Sequence, residues 1–439
     1  MNQPINYQKL IYLLIGISTL PFLVLLSQIK FGLSVANPVA FWNNFIFEFA
    51  NIAGFIGAIL LLWQMILGSR WIMSKFTPDT IGMNMLHRRL GTYGLLAVLF
   101  HPILEVYKYS ESWRWLFWLS GSSKFEQQVT FGRIALILFL IVWITSALLR
   151  GRLKYRPWLY IHYLTYPLMG FVLIHAVQLG SYLGDYLYLK VIWYLMMAIF
   201  VGLVIQRLAI FVGWGATKYQ LTDKQLVGNQ VVLLTLKPLG KRLDSAIGQH
   251  FYLQLRRFSL AHPFTIMEHD DQTGNLIFGI KAMGKFTNLA KSLKIDQTIF
   301  VSGPYGVFTR EAQNNEPKVI IAGGIGVTPF IRLVKRFGEN VTFFYCNPTI
   351  EEAVGREEII KAIGNNYYDV LSDSKNEAAA NVIIGRINAE HITKVLAPDD
   401  IARRHYFICG SKDFIRSVEA MLKSLGVKNS KIYYEEFGF

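Results

Sequence analysis

Cysteine is nearly absent from this chain: Cys346 and Cys409 are the only two in 439 residues. That pair excludes a disulfide framework and a cysteine-based zinc site, and it is compatible with a reducing compartment. Acidic residues are also scarce, 29 against 44 Lys and Arg, and the imbalance is uneven. Before Lys218 there are 16 basic and 6 acidic residues, so this half carries +10 of the net +15. Such an excess can serve nucleic acid. Beside hydrophobic runs it fits retention of Lys and Arg on the cytoplasmic face of a membrane, and nucleic acid is set aside. The sequence has no tandem EF-hand loops, no internal repeat and no low-complexity segment, which argues against direct calcium control. No small-residue cleavage site follows the first apolar run, so that run is expected to be a retained helix and not a removed signal peptide.

What is present is long apolar runs, confined to the first half. Residues 10–26, 52–67 and 134–149 each approach the roughly 20 residues that cross a bilayer. Six spans are expected, near 9–29, 44–68, 86–107, 131–149, 157–180 and 187–214. An even number puts both termini on one side. Arg70, Lys75, Arg88 and Arg89 follow the second span, and Arg150, Arg152, Lys154 and Arg156 follow the fourth, so both loops are expected to be cytoplasmic. The loops at 108–130 and around Asp185 then face outward. Trp113, Trp115, Phe117 and Trp118 in the longer one read as an interfacial aromatic belt, with a cover over a cofactor or acceptor site as the alternative.

Four histidines interrupt these runs. His87 and His101 lie 14 residues apart in the third span, and His162 and His175 lie 13 apart in the fifth. Polar rings in hydrocarbon need partners, and each spacing corresponds to roughly 20 Å of helix. The two spans run in the same direction, so depth pairs His87 with His162 and His101 with His175. Two neutral imidazoles can ligate a haem iron axially, which favours electron transfer and predicts two stacked haems. Ordinary hydrogen-bonded buried histidines are the alternative. A step of 14 returns to nearly the same helix face, off by about 40°, whereas a step of 13 misses by about 140°. Pro167 lies between His162 and His175, so an irregularity is expected near Tyr166 and Pro167.

From Lys218 the pattern changes to short alternating runs, the mark of an antiparallel barrel, and after residue 317 strands alternate with helices, the mark of a parallel α/β domain. His262-Pro263-Phe264-Thr265-Ile266 falls where a barrel strand ends. Thr265 can contact a flavin ring there, while Lys281, Lys285 and Thr287, near Gly284, can hold phosphate. Gly323-Gly324-Ile325-Gly326-Val327-Thr328-Pro329 joins a strand to a helix and lets backbone approach a pyrophosphate, although its spacing is not G-x-G-x-x-G. Cys409-Gly410-Ser411 would set a small polarizable side chain beside a nicotinamide; a thiol nucleophile is the rival role, without an evident His or Asp partner. Phe439, at the end, can stack on a flavin.

The ordered set of paired histidines, HPFTI, GPYG at 303–306, GGIGVTPF at 323–330, CGS at 409–411 and the final Phe resembles the NADPH oxidase and ferric reductase superfamily over about residues 45–439. The resemblance implies a membrane all-α six-helix haem domain at 1–215, an antiparallel β-barrel FAD domain at 216–312 and an α/β parallel-sheet NAD(P)H domain at 313–439. It assigns haem ligation to His87, His101, His162 and His175. FAD contacts fall to His262, Pro263, Phe264 and Thr265, with Lys281, Gly284, Lys285 and Thr287 on the pyrophosphate side. The nicotinamide nucleotide falls to Gly323, Gly324, Gly326, Val327, Thr328, Pro329, Cys409 and Gly410, and Phe439 covers the flavin; Phe439, Cys409 and Thr265 are the residues expected at the reaction itself. Where many relatives place a basic residue for a 2′-phosphate, this chain has Asn347-Pro348, with Arg356 as the nearest substitute, and NADPH is expected ahead of NADH. The implied activity carries electrons from cytoplasmic NAD(P)H through FAD and two b-type haems, in a bacterial-type inner membrane, to an outer acceptor. Dioxygen giving superoxide is favoured on resemblance, with a ferric chelate or a periplasmic protein partner as alternatives.

Overall fold

The structure, a computed structural model, describes residues 7–31, 37–77, 79–109, 111–179, 181–228, 230–373 and 381–436. The chain divides into two compact units, Met1–Leu208 and Ala209–Phe439.

The first unit is helical. Six helical stretches are long and apolar enough to cross a membrane: Tyr7–Gln28, Pro38–Gly68, Gly82–Lys108, Lys124–Leu148, Tyr155–Val177 and Leu187–Phe211. Two begin well before the expected starts, each at a first turn capped by a side chain. Asn37 accepts from the Ala40 amide ahead of Pro38, and Ser123 accepts from the Glu126 amide. The core gathers Phe22, Phe55, Met169, Leu173, Leu189 and Trp193, with Phe22 stacked on Phe55 at 4.8 Å.

Helix α1 is Tyr7–Leu23 and α2 is Pro38–Gly68, unbroken over 31 residues. The third span is two helices, α3 (Thr80–Thr92) and α4 (Phe100–Lys108), joined by a 3₁₀ stretch, Gly94–Leu99. It is therefore not the regular helix that the 14-residue spacing suggested. Tighter 3₁₀ steps turn about 120° each, and a few of them make up a 40° shortfall. The fourth span, α5 (Lys124–Trp143), ends in a π-turn, Ile144–Leu148, where the Leu149 amide bonds to the Ile144 carbonyl at 3.0 Å.

The fifth span breaks as expected between α6 (Tyr155–His162) and α7 (Thr165–Leu179). The break lies at Tyr163 and Leu164, one turn before Pro167. Proline has no amide to give the carbonyl four residues back, which is that of Tyr163. The Tyr166 amide takes that carbonyl instead at 3.1 Å. Helix α8, Leu187–Phe211, completes the set.

The second unit opens with a closed antiparallel barrel: β1 (Thr217–Val227), β2 (Val231–Pro238), β3 (His250–Gln254), β4 (His262–His269), β5 (Leu276–Lys281) and β6 (Thr298–Tyr305), in the order β1-β2-β5-β4-β3-β6. Alternating residues such as Leu234, Leu236, Phe251, Leu253, Phe278 and Ile280 fill it. Helix α9 is Lys285–Lys291. A six-stranded parallel sheet follows, from β7 (Lys318–Gly323), β8 (Val341–Asn347), β9 (Tyr367–Leu371), β10 (Val382–Ile384), β11 (His405–Gly410) and β12 (Ile432–Glu436), in the order β10-β9-β8-β7-β11-β12. Helices α10 (Thr328–Phe337) and α11 (Arg356–Ile363) follow β7 and β8. The strand order reverses between β7 and β11, and the crevice at the carboxyl ends of such strands is where this topology binds ligands.

Candidate functional site

The helical unit brings the four histidines together in the two pairs set by depth. His87 faces His162 with ring centres 6.1 Å apart and planes at 74°. His101 faces His175 at 6.4 Å and 69°. One metal atom held by two imidazoles, at about 2 Å per bond and ~1 Å from each nitrogen to its ring centre, separates ring centres by roughly 6 Å. Each pair therefore leaves room for one axially ligated atom. Among the described residues no cluster of three or more His, Cys, Asp or Glu is gathered for a bare metal ion. Each pair could hold a group that takes two imidazole nitrogens.

Each ring is oriented through Nδ1. His87 meets the Gln64 carbonyl at 3.1 Å, His101 the Ala50 carbonyl at 2.9 Å and His175 the Gln128 carbonyl at 2.8 Å. A carbonyl accepts only, so it fixes the Nδ1–H tautomer and leaves Nε2 with its lone pair. His162 differs: its Nδ1 meets the Ser146 hydroxyl at 3.1 Å, on the π-turn, and Trp158 donates to the same hydroxyl at 3.2 Å. The Trp158 ring also lies along His162 at 5.1 Å.

Two glycines make this possible. A Cβ at Gly54 would stand 3.0 Å from the His101 ring, and one at Gly132 would stand 2.7 Å from that of His175. Beside Gly132, Arg133 is 3% exposed. It donates to the Trp118 carbonyl at 2.6 Å and to the Glu126 carboxylate at 3.1 Å, and it lies over the Trp115 ring at 4.5 Å. Its Nε and remaining terminal nitrogen have no partner, so two cationic donors stay open in a buried place. Glu48, also buried, accepts from the Tyr182 hydroxyl. Sequence reasoning passed over these residues, although a charge within an apolar run is itself a signal. Trp113, Phe117 and Trp118 are exposed, which suits a belt, while Trp115 covers Arg133.

In the barrel, His262 and Phe264 flank Phe286, at 3.9 Å and 5.8 Å between ring centres. Phe286 stands within the 284–287 motif, where sequence reasoning assigned it no role. Pro263 pairs with Tyr252 in the β3–β4 ladder. Thr265 is buried, and its hydroxyl has no partner. The phosphate side is less open than the motifs suggest. Lys281 is paired with Glu352 at 3.4 Å. The Thr287 hydroxyl already accepts from the Met283 and Gly284 amides at 2.9 Å, capping α9, which Lys285 begins.

At the sheet crevice, Gly326 sits against the end of β11: a Cβ there would lie 2.3 Å from the Cys409 carbonyl and 2.9 Å from the Gly410 amide. Gly323 and Gly410 both press on Phe414. Gly324, at φ +54°, faces open space, so it is the glycine of this turn that a pyrophosphate can approach. Val327, Thr328 and Pro329 are buried in the core and start α10. Cys409 is fully buried. Burial first, then the neighbouring Glu435 carboxylate, hold its thiol well above its ordinary range, which disfavours a nucleophilic thiolate. Burial pushes the Glu435 carboxyl itself up to about 7. Phe439 lies outside the described residues.

Residues 53–173 match the family model of the ferric reductase-like transmembrane component, 218–309 that of the oxidoreductase FAD-binding domain, and 320–420 that of the oxidoreductase NAD-binding domain. This is the ferric reductase-like architecture. The reductase component of propane 2-monooxygenase from Mycolicibacterium smegmatis is 25% identical over 221 residues, 47% of this chain and 63% of that one. NADH-cytochrome b5 reductase 1 from Debaryomyces hansenii is 26% identical over 232 residues, 49% of this chain and 80% of that one. The ferric reductase-like chain spans 58% of the Rhodococcus jostii propane 2-monooxygenase reductase and 50% of an Oceanobacillus iheyensis flavohemoprotein. Among solved structures, flavohemoglobin from Malassezia yamatoensis aligns with a TM-score of 0.45 at 20% identity, covering 74% of this chain and 90% of that one.

Proposed function

We propose that this ferric reductase-like protein carries electrons from NAD(P)H, through FAD and two bis-histidine haems, to an acceptor on the far side of a bacterial-type inner membrane, with the soluble unit cytoplasmic. The observation that carries this reading is the two pairs of facing imidazoles, at 6.1 and 6.4 Å. When bound, a flavin would supply the exchange between two-electron and one-electron chemistry, and haem iron would supply single-electron relay.

The chain's own residues do the positioning. His87 and His162 would hold the haem nearer the cytoplasm, and His101 and His175 would hold the outer one. Gly54 and Gly132 let the outer rings approach their helices. The two open donors of Arg133 suit a carboxylate of the outer macrocycle. Thr265 offers a buried hydroxyl to the flavin ring, and His262, Pro263 and Phe264 shape the surface beside it. In this reading the turn around Gly284 lies on the pyrophosphate side. The open Gly324 turn, with Gly323, Gly326 and Gly410 packed behind it, receives the nicotinamide nucleotide, and Phe439 shields the flavin until that nucleotide arrives.

The outer acceptor in this reading is dioxygen, which takes one electron to give superoxide. Purified protein is expected to show a bis-histidine b-type spectrum with two haems per chain; a haem-free preparation of full activity would refute the path. Cytochrome c reduction with and without superoxide dismutase, and with ferric citrate as competitor, tests the acceptor. Dismutase-insensitive reduction removes the oxidase reading.

A further inference from the structure

The nucleotide site proposed above must meet either a 2′-hydroxyl or a 2′-phosphate on the adenosine ribose. A hydroxyl is neutral and can donate a hydrogen bond, whereas a phosphate is anionic and needs cations. In a doubly wound sheet this choice is made at the end of the strand after the glycine turn, about 20 residues on. Here that strand is β8, which ends at Asn347, 21 residues beyond Gly326.

Three observations bear on what stands there. First, residues 347–355 contain no Lys or Arg and include Glu351 and Glu352, of which Glu352 is paired with Lys281 at 3.4 Å. Second, the ends of β8 and β9 are tied together: the Ser372 amide bonds to the Asn347 carbonyl at 3.0 Å and the Asp373 amide to that of Pro348 at 3.0 Å. This sets Asp373, whose exposed carboxylate accepts from the Ser372 hydroxyl at 3.0 Å, in the strand-end turn beside Pro348. Both polar atoms of the Asn347 side chain, the amide oxygen and the amide nitrogen, are buried without a hydrogen-bond partner; the oxygen is an acceptor suited to a hydroxyl.

Third, Arg356 is not available. Its guanidinium binds Asp369 through two nitrogens, at 2.8 and 2.9 Å, and Asp369 is buried and also accepts from the Tyr367 hydroxyl at 2.6 Å. Swinging Arg356 toward a phosphate would leave a buried carboxylate uncompensated, which is strongly destabilising. The sequence alone made Arg356 the substitute grip for NADPH; the ion pair removes it from that role.

We propose that the chain discriminates at this edge in favour of NADH, with Asn347 and Asp373 as the specificity-determining residues and Arg356 as a structural one. The inference rests on the nucleotide site of the proposed function. The test uses full-length, FAD-loaded protein in detergent, with ferricyanide as acceptor so that the haems are bypassed. The kcat/KM for NADH should exceed that for NADPH by about tenfold or more, and NAD+ should bind more tightly than NADP+. Asn347→Arg with Asp373→Ser should narrow or reverse the ratio. Arg356→Ala should lower the unfolding temperature and leave the ratio unchanged. Equal or better use of NADPH, or a loss of NADPH turnover alone in Arg356→Ala, overturns the proposal. If neither nucleotide is oxidised, the proposed function fails and takes this inference with it.

Discussion

At the scale of a residue, the outer pair depends on a missing methyl group. A Cβ at Gly132 would come within 2.7 to 3.1 Å of three atoms of the His175 ring, and a packed core has little slack to absorb that. Gly132→Ala is expected to lower haem content from two per chain toward one, read by the pyridine haemochrome assay. Gly170→Ala, whose Cβ would make only an ordinary 3.9 Å contact with Phe200, should keep both. Glu435 provides a second residue-scale test. Its carboxyl is pushed up to about 7 by burial, so the folded protein binds a proton more tightly than the unfolded chain. The stabilisation is full below about pH 4.5 and is lost as pH rises through 7. Glu435→Gln should remove that slope, worth about 3 kcal/mol across the window, in thermal unfolding followed from pH 5 to 8. An unchanged slope would show that Glu435 is not buried uncharged.

At the scale of an element, the helices that carry the paired histidines are irregular ones. Pro167 frees the Tyr163 carbonyl and breaks the fifth span, allowing His162 and His175 to serve the same side despite 13 residues of spacing. Pro167→Ala restores the missing amide. It is expected to favour a regular helix, turn one ring away from its partner and reduce haem occupancy, with the low-spin spectrum as the readout; unchanged occupancy would count against this account of the break. Legibility in the sequence follows the same physics. The histidines stood out because a polar ring in an apolar run is costly, and Pro167 because its backbone chemistry is unique. The 3₁₀ stretch Gly94–Leu99 and the π-turn at Ser146 did not, since both arise from packing between helices. The carbonyls of Ala50, Gln64 and Gln128 are backbone groups, and any residue type carries one. In the soluble unit the glycine turn was readable, but the pairing of Lys281 with Glu352 and of Arg356 with Asp369 joins residues 71 and 13 positions apart. Nothing local announces such partners.

At the scale of the molecule, the proposed path is a series, so a break should divide its partial reactions. His175→Ala is expected to leave nucleotide-driven ferricyanide reduction near the parent rate and to abolish reduction of the outer acceptor in sealed vesicles. Loss of both would mean that the histidine supports the fold as a whole and not one step.

The second span has a wider consequence. It is one unbroken 31-residue rod, and it supplies both the Ala50 and the Gln64 carbonyls, which lie about 20 Å apart by helical rise. The third span, which presents His87 and His101 to this rod, is broken between them while the rod is continuous, so the rod sets the distance between the two rings. The rod acts as a gauge bar. Inserting one residue between positions 50 and 64 would rotate one seat by about 100° against the other, so this stretch should tolerate exchange of its lipid-facing side chains but no change in its length.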